Sequence, residues 1–229
     1  MKTGPDAQAA RSVLAGASGL VGREIVTAWA AEAEATLGAL HLLLRRPDAA
    51  LQARAASAST GVDFANLATL PASGTALCAL GTTIAVAGSQ AAFRAVDHDA
   101  VLAFARAAQR AGARRFGLVS ALGASPRSGN FYSRTKGETE AALQTMGFER
   151  LVIARPALLA GNRSALAQAP RPGERLALAV LGPLNGLIPL AWRAIEAATV
   201  ARALLRALAA PGPTVQVLDS AALQRLGRH

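Results

Sequence analysis

Two side chains that could move a proton stand four residues apart in this chain, Tyr132 and Lys136. Tyr132 is the only tyrosine, and Lys136 is one of two lysines in a sequence that otherwise carries its positive charge on arginine. On a helix, a spacing of four residues places both side chains on one face. A phenol beside a fixed ammonium is a tuned proton donor, because the positive charge favours the phenolate. The pair therefore predicts acid–base chemistry, such as protonation of the alkoxide that forms when hydride reaches a carbonyl carbon.

Ser120 is a third candidate for the same reaction. It ends a predicted strand over 115–120 and precedes Tyr132 by twelve residues. A hydroxyl at this strand end could donate to a substrate carbonyl oxygen and stabilise the charge that develops there. A strand-end serine can equally cap the following turn, so both roles stay open. The weaker alternatives for the same role are Ser125, Ser128 and Ser133.

Three glycines at a spacing of three follow the first apolar run, residues 12–15, and open an amphipathic helix. In such a strand–turn–helix unit the first glycine allows a sharp turn, the second leaves room for a pyrophosphate, and the third lets helix and strand pack closely. Backbone N–H groups at the helix start would face the phosphates. A glycine-rich turn without a ligand is the alternative. The predicted phosphate-binding residues are Gly16, Ser18, Gly19, Leu20, Val21 and Gly22.

The end of the second predicted strand carries Arg45 and Arg46, at the position where folds that bind NAD place a carboxylate for the ribose hydroxyl. Two guanidinium groups would instead bind a 2′-phosphate through forked, charge-assisted hydrogen bonds. The sequence therefore predicts NADP(H) over NAD(H), with an ordinary basic loop as the alternative. Asp48 follows Pro47 and is expected to be solvated.

Short apolar runs alternate with helical patterns along the chain, which predicts a parallel sheet with helices on both faces. We expect a Rossmann-type doubly wound α/β fold with a small C-terminal substrate region. It would be one domain over 1–229, with 157–190 as an irregular region on the substrate side. Gly81 and Thr82 follow the fourth predicted strand, at the sheet edge where this fold binds ligands. The predicted strands cover 12–15, 39–44, 61–64, 76–80, 115–120, 151–154 and 215–218, and the predicted helices cover 20–34, 96–111, 131–146, 191–209 and 221–226.

Charge and hydropathy argue against two classes of partner. The net charge of +10 comes from scattered arginines, without a basic run or interleaved stacking aromatics, so nucleic acid is not a predicted partner. The uncharged, strongly apolar stretch 176–192 contains two prolines and makes a poor membrane span, so no integral membrane segment is predicted.

The few cysteines and histidines indicate the cellular compartment and whether the chain binds a metal. Cys78 is the only cysteine and lies in an apolar run, so we expect a buried hydrophobe in a reducing compartment. The N-terminus has no apolar signal segment, and we predict a cytoplasmic location. No metal site is predicted, because His41, His98 and His229 lack a second ligand at a binding spacing.

Several segments together resemble the short-chain dehydrogenase/reductase family, and finer features resemble its atypical branch, the Tat-interacting-protein-type oxidoreductases. The resemblance covers about residues 13–208 and is quite specific. Besides the glycine turn, the segments that carry it are Leu80-Gly81-Thr82-Thr83, Val96-Asp97-His98-Asp99, Val119-Ser120-Ala121-Leu122-Gly123-Ala124, Tyr132-Ser133-Arg134-Thr135-Lys136-Gly137-Glu138, Arg155-Pro156, Gly161-Asn162-Arg163 and Arg171-Pro172-Gly173-Glu174.

The resemblance implies a Rossmann fold, NADP(H) binding and a reaction centre of Ser120, Tyr132 and Lys136, in which Lys136 also holds the nicotinamide ribose. It further implies that Asp63 contacts the adenine and that the loop after Pro156 meets the nicotinamide.

Two positions depart from the family pattern. Ala121 stands where many members have a second serine, and Asp97 stands where many have asparagine. The branch also contains proteins better known as regulators than as enzymes.

We therefore expect an NADP(H)-dependent oxidoreductase that transfers hydride between the nicotinamide and a small or medium apolar carbonyl or alcohol, with Tyr132 as the acid/base. The alternative is an NADPH-binding regulatory or sensor protein with little or no catalysis. Epimerase or dehydratase chemistry on a nucleotide sugar is a weaker interpretation, because the C-terminal substrate region is short. The predicted partner is a small-molecule substrate, and the chain is expected to be a monomer or a homodimer.

Overall fold

Nine strands are present in the computed structural model, which describes residues 11–67, 69–160 and 190–228. They are β1 Arg11–Ala15, β2 Ala39–Leu43, β3 Ser57–Ser59, β4 Thr75–Cys78, β5 Arg115–Val119, β6 Arg150–Arg155, β7 Leu159–Ala160, β8 Ile195–Glu196 and β9 Val215–Asp219. Seven of them form one sheet in the order β3-β2-β1-β4-β5-β6-β9, and β7 and β8 form a separate two-stranded sheet. All pairings are parallel, which confirms the predicted Rossmann-type fold.

Helices follow most strands, as expected for parallel crossovers. They are α1 Leu20–Glu32, α2 Glu34–Leu37, α3 Ala49–Gln52, α4 Ile84–Ala87, α5 Gln90–Arg94, α6 Ala100–Arg110, α7 Phe131–Gln144, α8 Ala197–Ala209 and α9 Ser220–Leu226. A π-helical turn, Ala95–Asp99, joins α5 to α6. Within the described ranges, no helix combines the length and the apolar character needed to cross a bilayer.

The sheet separates two apolar cores, because successive side chains of a strand point to opposite faces. On one face α1 and α8 pack together over side chains such as Leu14 and Leu77. On the other face α6 and α7 cover side chains such as Val13 and Phe116. A Cβ atom on Gly117 would lie 2.5 Å from a Leu208 methyl carbon, so glycine allows α8 to approach β5 closely.

Three predicted elements have different bounds in the structure. The strand predicted over 61–64 is wrong, because Gly61 adopts a φ of +71° in a turn and the third strand is β3. The helix predicted over 191–209 begins only at Ala197, because the preceding two residues pair with β7. The helix predicted over 96–111 belongs to a longer helical stretch that begins at Gln90.

From β1 the chain adds β2 and β3 on one side, and it then returns to place β4 on the other side of β1, so the order of strand addition reverses between β1 and β4. In doubly wound folds the crevice at the carboxyl ends of two such strands is where ligands bind. The predicted site residues after β1, β2, β4 and β5 all follow the carboxyl ends of their strands. Most of the predicted irregular region over 157–190 lies outside the described residues.

Candidate functional site

Gly16 and Gly22 shape the turn between β1 and α1. Gly16 has a φ of +84°, and a Cβ atom there would lie 2.4 Å from the carbonyl carbon of Ala79. A Cβ atom on Gly22 would lie 2.1 Å from the carbonyl oxygen of Gly16. Side chains at either position would collide with backbone, so these two glycines do what the sequence predicts: one turns the chain and the other lets α1 approach it closely.

Gly19 differs from these two glycines because the space beside it is more open. A Cβ atom there would meet protein only at 3.3 Å, the carbonyl oxygen of Gly16. Gly19 is also the N-cap of α1, without a side-chain cap and without an acidic residue in the first turn. The N–H groups of Leu20 and Val21 therefore begin a helix that no side chain caps, which suits an anion, and Ser18 beside them is exposed.

Arg45 and Arg46 are exposed directly after β2, at the same edge of the sheet. The expectation that Asp48 is solvated is wrong. Its carboxylate accepts a hydrogen bond from the Leu51 N–H at 3.1 Å, which caps α3, and lies 2.7 Å from the Arg23 guanidinium. The Asp48 carboxylate is thus paired, while the two arginines face solvent.

Asp63 lies beside the end of β2, because the Val62 N–H donates to the Leu44 carbonyl at 3.1 Å. Its carboxylate accepts hydrogen bonds from the Asn66 amide at 2.8 Å and from the Ala65 N–H at 2.9 Å. These two hydrogen bonds lower the pKa of Asp63, so it is anionic at neutral pH. Its predicted contact with an adenine stays a prediction.

Lys136 is buried on α7 and forms an ion pair with Asp97 of the π-helical turn, with 2.7 Å between Nζ and Oδ1. The second carboxylate oxygen of Asp97 accepts the Thr82 N–H at 2.8 Å. Burial acts to lower the pKa of Lys136, but Asp97 and then Tyr132 act to raise it, and the net direction is upward. A Cβ atom on Gly81 would lie 3.8 Å from Nζ, so the loop after β4 passes directly beside the amine.

Tyr132 is half-buried one turn before Lys136, and its ring packs on Phe93 with 5.3 Å between centroids. The side chain of Asn130 caps this helix by accepting the Ser133 N–H at 3.1 Å. A Cβ atom on Gly137 would lie 2.1 Å from the backbone of Ser125, so glycine lets α7 lie against the preceding loop. Cap and glycine together fix the helix that carries the Tyr–Lys pair.

Ser120 is almost fully buried, with 6% of its surface exposed, and its hydroxyl donates to the carboxylate of Glu140. Glu140 is itself buried and forms a bidentate ion pair with Arg155 at the end of β6. The Ser120 hydroxyl, which the sequence analysis expected to donate to a substrate carbonyl, therefore donates to Glu140 within the protein. Ser125 and Ser128 take part in turns, and a Ser125 N–H donates to the Ser133 carbonyl.

Asp97 and Glu140 are the site residues whose roles sequence reasoning missed. Glu140 had a usable signal, since it follows Lys136 by four residues and so lies on the same face of the helix. Asp97 was noted only as a departure from the family pattern, because nothing in the local sequence links it to a lysine 39 residues later.

Three further sequence expectations concern Pro156, Cys78 and metal binding. Pro156 is buried, and its carbonyl accepts the Leu122 N–H at 2.9 Å, which joins the segments that follow β5 and β6. Cys78 is fully buried, and burial raises the pKa of its thiol to about 12, which confirms the hydrophobic role. Among the described residues, no three His, Cys, Asp or Glu side chains converge on a possible metal site.

The structure thus brings Gly81, Thr82, Tyr132 and Lys136 together around Asp97, and attaches Ser120 to the same helix through Glu140. It leaves Arg45, Arg46 and Asp63 at the other end of the crevice, beyond the glycine turn. One end suits a charged nucleotide, and the other suits proton transfer.

Relatives among curated proteins identify the family. The protein fmp52, mitochondrial, of Emericella nidulans is 37% identical over 186 residues, which cover 77% of this chain and 76% of that protein. The protein of the same name from Aspergillus fumigatus is 35% identical over 208 residues, 86% of each chain. Protein HTATIP2 of Rattus norvegicus is 38% identical over 155 residues, 66% of this chain and 60% of that protein. The chain belongs to the atypical short-chain dehydrogenase/reductase family.

Family membership confirms the predicted resemblance, although no protein-family model matches the chain. The predicted cytoplasmic location is wrong by the same comparison, because the fungal relatives are named as mitochondrial proteins.

Solved structures agree on the fold. The ADP-L-glycero-D-manno-heptose-6-epimerase of Helicobacter pylori superposes with a TM-score of 0.65 at 15% identity, covering 96% of this chain and 80% of that chain. The Bordetella bronchiseptica enzyme WbmF, solved in complex with NAD+, has a TM-score of 0.63 at 12% identity, covering 95% and 77%. At such low identity the likeness supports the NAD(P)-binding Rossmann fold alone.

Proposed function

We propose that this protein is an NADP(H)-dependent oxidoreductase that transfers hydride between the nicotinamide and a small or medium apolar carbonyl or alcohol. The observation that carries the proposal is the buried ammonium of Lys136 beside the half-buried phenol of Tyr132, next to the loop that follows β4. Membership of an oxidoreductase family with a nucleotide-binding fold supports the same reaction class.

The residues present fit a dinucleotide. The open side of Gly19 and the uncapped start of α1 would hold the diphosphate, and Arg45 and Arg46 would hold the 2′-phosphate. The Lys136 amine, beside Gly81, would bind the nicotinamide ribose. When bound, the cofactor supplies or accepts the hydride.

Tyr132 then handles the proton. In the direction of reduction its phenol gives a proton to the alkoxide oxygen of the substrate, and in the direction of oxidation the phenolate takes that proton back. The positive charge of Lys136 stabilises the phenolate between the two events. For Ser120 to orient the substrate oxygen, its hydroxyl has to turn from Glu140 into the crevice and exchange one hydrogen bond for another.

One experiment tests the oxidoreductase proposal directly. NADPH is titrated against the protein by fluorescence, carbonyl compounds are screened for oxidation of NADPH, and both measurements are repeated with Tyr132→Phe. We expect the variant to keep its affinity for NADPH and to lose turnover by at least about 100-fold, in line with the usual contribution of a general acid. Turnover that survives in Tyr132→Phe would rule out Tyr132 as the proton donor.

Cofactor preference has its own test. The double variant Arg45→Ala with Arg46→Ala should weaken NADPH binding by about tenfold or more and leave NADH binding nearly unchanged, because only NADPH carries the 2′-phosphate. A matched control is Arg54→Ala, which removes one arginine from a loop outside the proposed site. Equal losses for the two cofactors would contradict the assignment.

The second candidate function is an NADPH-binding regulatory or sensor protein with little or no catalysis. The observation that favours it is the Ser120 hydroxyl, whose proton is donated to Glu140 and not directed to a substrate. NADPH binding without turnover in either the natural chain or Tyr132→Phe, across a broad set of carbonyl compounds, would favour the sensor.

A further inference from the structure

The amine of Lys136 meets a carboxylate inside the protein. Asp97 is fully buried, its Oδ1 lies 2.7 Å from Nζ of Lys136, and its Oδ2 accepts the Thr82 N–H at 2.8 Å. The carboxylate thereby connects the π-helical turn, α7 and the loop after β4. In addition, the hydroxyl of Thr139 donates to the backbone carbonyl of Asp97 at 3.0 Å, which fixes the turn against α7.

Within the described parts of the chain, three ionisable groups act on this amine. The groups that influence Lys136 are Asp97 from the π-helical turn, Tyr132 from its own helix and Cys78 from β4. The Cys78 thiol is neutral at physiological pH, because burial raises its pKa to about 12. Among these groups, Asp97 is therefore the one that places a negative charge against the ammonium while Tyr132 is protonated.

A carboxylate in contact with an ammonium changes what a third group experiences. Seen from the Tyr132 phenol, a lone ammonium is a full positive charge, whereas the ammonium with its carboxylate is a dipole whose field falls off faster with distance. The pair therefore favours the phenolate less than the ammonium alone would. An asparagine in place of Asp97 would keep an oxygen acceptor for the amine and remove this negative charge.

We propose that Asp97 is a positioning residue for the Tyr–Lys pair, which holds the Lys136 amine beside the loop after β4 and reduces the pull of its charge on Tyr132. This inference rests on the proposed function only in giving Tyr132 the acid–base role.

The chain offers a direct readout, because Tyr132 is its only tyrosine. The ultraviolet absorbance of tyrosinate, followed as a function of pH, then reports Tyr132 alone, without substrate or cofactor. We expect the titration midpoint of Tyr132 in Asp97→Asn to lie about one pH unit below that of the natural chain, since a nearby charge shifts such equilibria by one unit or more. A midpoint that is unchanged or higher overturns the proposal.

Asp99→Asn is the matched control. Asp99 stands in the same π-helical turn, but its side chain is exposed and pairs with His98 at 2.7 Å. Asp99→Asn removes an equal negative charge two residues from Asp97, and we expect no shift in the titration midpoint of Tyr132. An equal shift in both variants would mean that net charge, and not contact with Lys136, sets the midpoint, and would also overturn the proposal.

A second comparison covers the case in which Asp97→Asn fails to fold. Lys136→Met combined with Asp97→Asn leaves no unpaired buried charge, and it is compared with Lys136→Met alone. The carboxylate then acts on Tyr132 without its partner, so the midpoint should fall when Asp97→Asn is added; equal midpoints would contradict the inference. Failure of the oxidoreductase proposal would appear separately, as NADPH binding without turnover, and would leave these absorbance results standing.

Discussion

The two ends of the crevice are built in opposite ways. At the proposed phosphate end the essential feature is that Gly16 and Gly22 have no side chain, because a Cβ atom on either would collide with backbone, at 2.4 and 2.1 Å. At the reaction end the essential feature is buried charge, because Lys136 and Glu140 each contact a partner of opposite sign. The first end is determined by backbone geometry over seven consecutive residues, and the second by ion pairs between distant segments.

This difference predicts different responses to substitution. A side chain added at Gly16 or Gly22 would collide with backbone, and no charge is involved, so substitutions there destabilise the fold by steric overlap. A buried ion pair tolerates the loss of both partners better than the loss of one, because the remaining charge is left without compensation. Variants at the two ends should therefore differ in how much unfolding free energy they lose, in whether a second substitution restores it, and in how the loss depends on pH.

The largest effect is expected for Lys136→Met, which leaves the buried carboxylate of Asp97 without a cation beside it. The free energy of unfolding should fall by about 3–5 kcal/mol, as for other buried pairs that lose one member. Urea unfolding followed by circular dichroism measures it. Adding Asp97→Asn to the variant should recover most of the loss, and a double variant as unstable as the single one would mean that packing, not charge, dominates this end.

The same ion pair predicts a pH dependence. The pKa of Lys136 is raised in the folded protein, so its contribution to stability is complete below the pKa of an unfolded lysine, about 10.4, and is lost as pH rises through the folded value. The stability difference between the natural chain and the variant Lys136→Met should therefore hold near neutral pH and narrow only in strong alkali. If the stability difference between the two proteins already narrowed between pH 7 and 9, the pKa of Lys136 could not be raised.

An intermediate effect is expected for Glu140→Gln, which weakens the charge-assisted hydrogen bonds to Ser120 and Arg155. We expect a loss of about 1.5–3 kcal/mol in unfolding free energy, because Arg155 is partly exposed and water can replace part of the contact. Glu138→Gln is the matched control on the same helix. Glu138 pairs with Arg94 at the surface, and its loss should stay within about 1 kcal/mol.

The smallest change in stability, and the sharpest contrast, is expected at the glycine turn. Gly22→Ala forces backbone apart and should lower the unfolding free energy by about 1–3 kcal/mol. The added methyl group of Gly19→Ala would meet protein only at 3.3 Å and should change stability by less than about 1 kcal/mol, yet it would stand where the diphosphate is proposed to bind. Isothermal titration with NADPH should therefore show lost affinity for Gly19→Ala, and unaltered affinity would remove this loop from the cofactor site.

Much of the fold could be predicted because its signals are local. Alternating apolar runs and helical patterns predicted the parallel sheet, and six of the structure's strands lie at predicted positions. The error over 61–64 has a local cause, since Gly61 and the Asp63 turn replace the strand that the apolar residues suggested. The two-residue strands β7 and β8 were missed because segments this short have no periodicity to detect.

The sequence by itself determined the turn of three glycines, the helix that carries Tyr132 and Lys136 on one face, and the position of Arg45 and Arg46 after β2. Each of these follows from residues within one turn or one helix, where spacing alone sets the geometry. Only the tertiary structure decided that Asp97 forms an ion pair with Lys136 and that Glu140 accepts the hydroxyl hydrogen bond of Ser120. Those contacts join residues 39 and 20 positions apart, and their existence depends on burial, which makes an unpaired charge too unfavourable to leave without a partner.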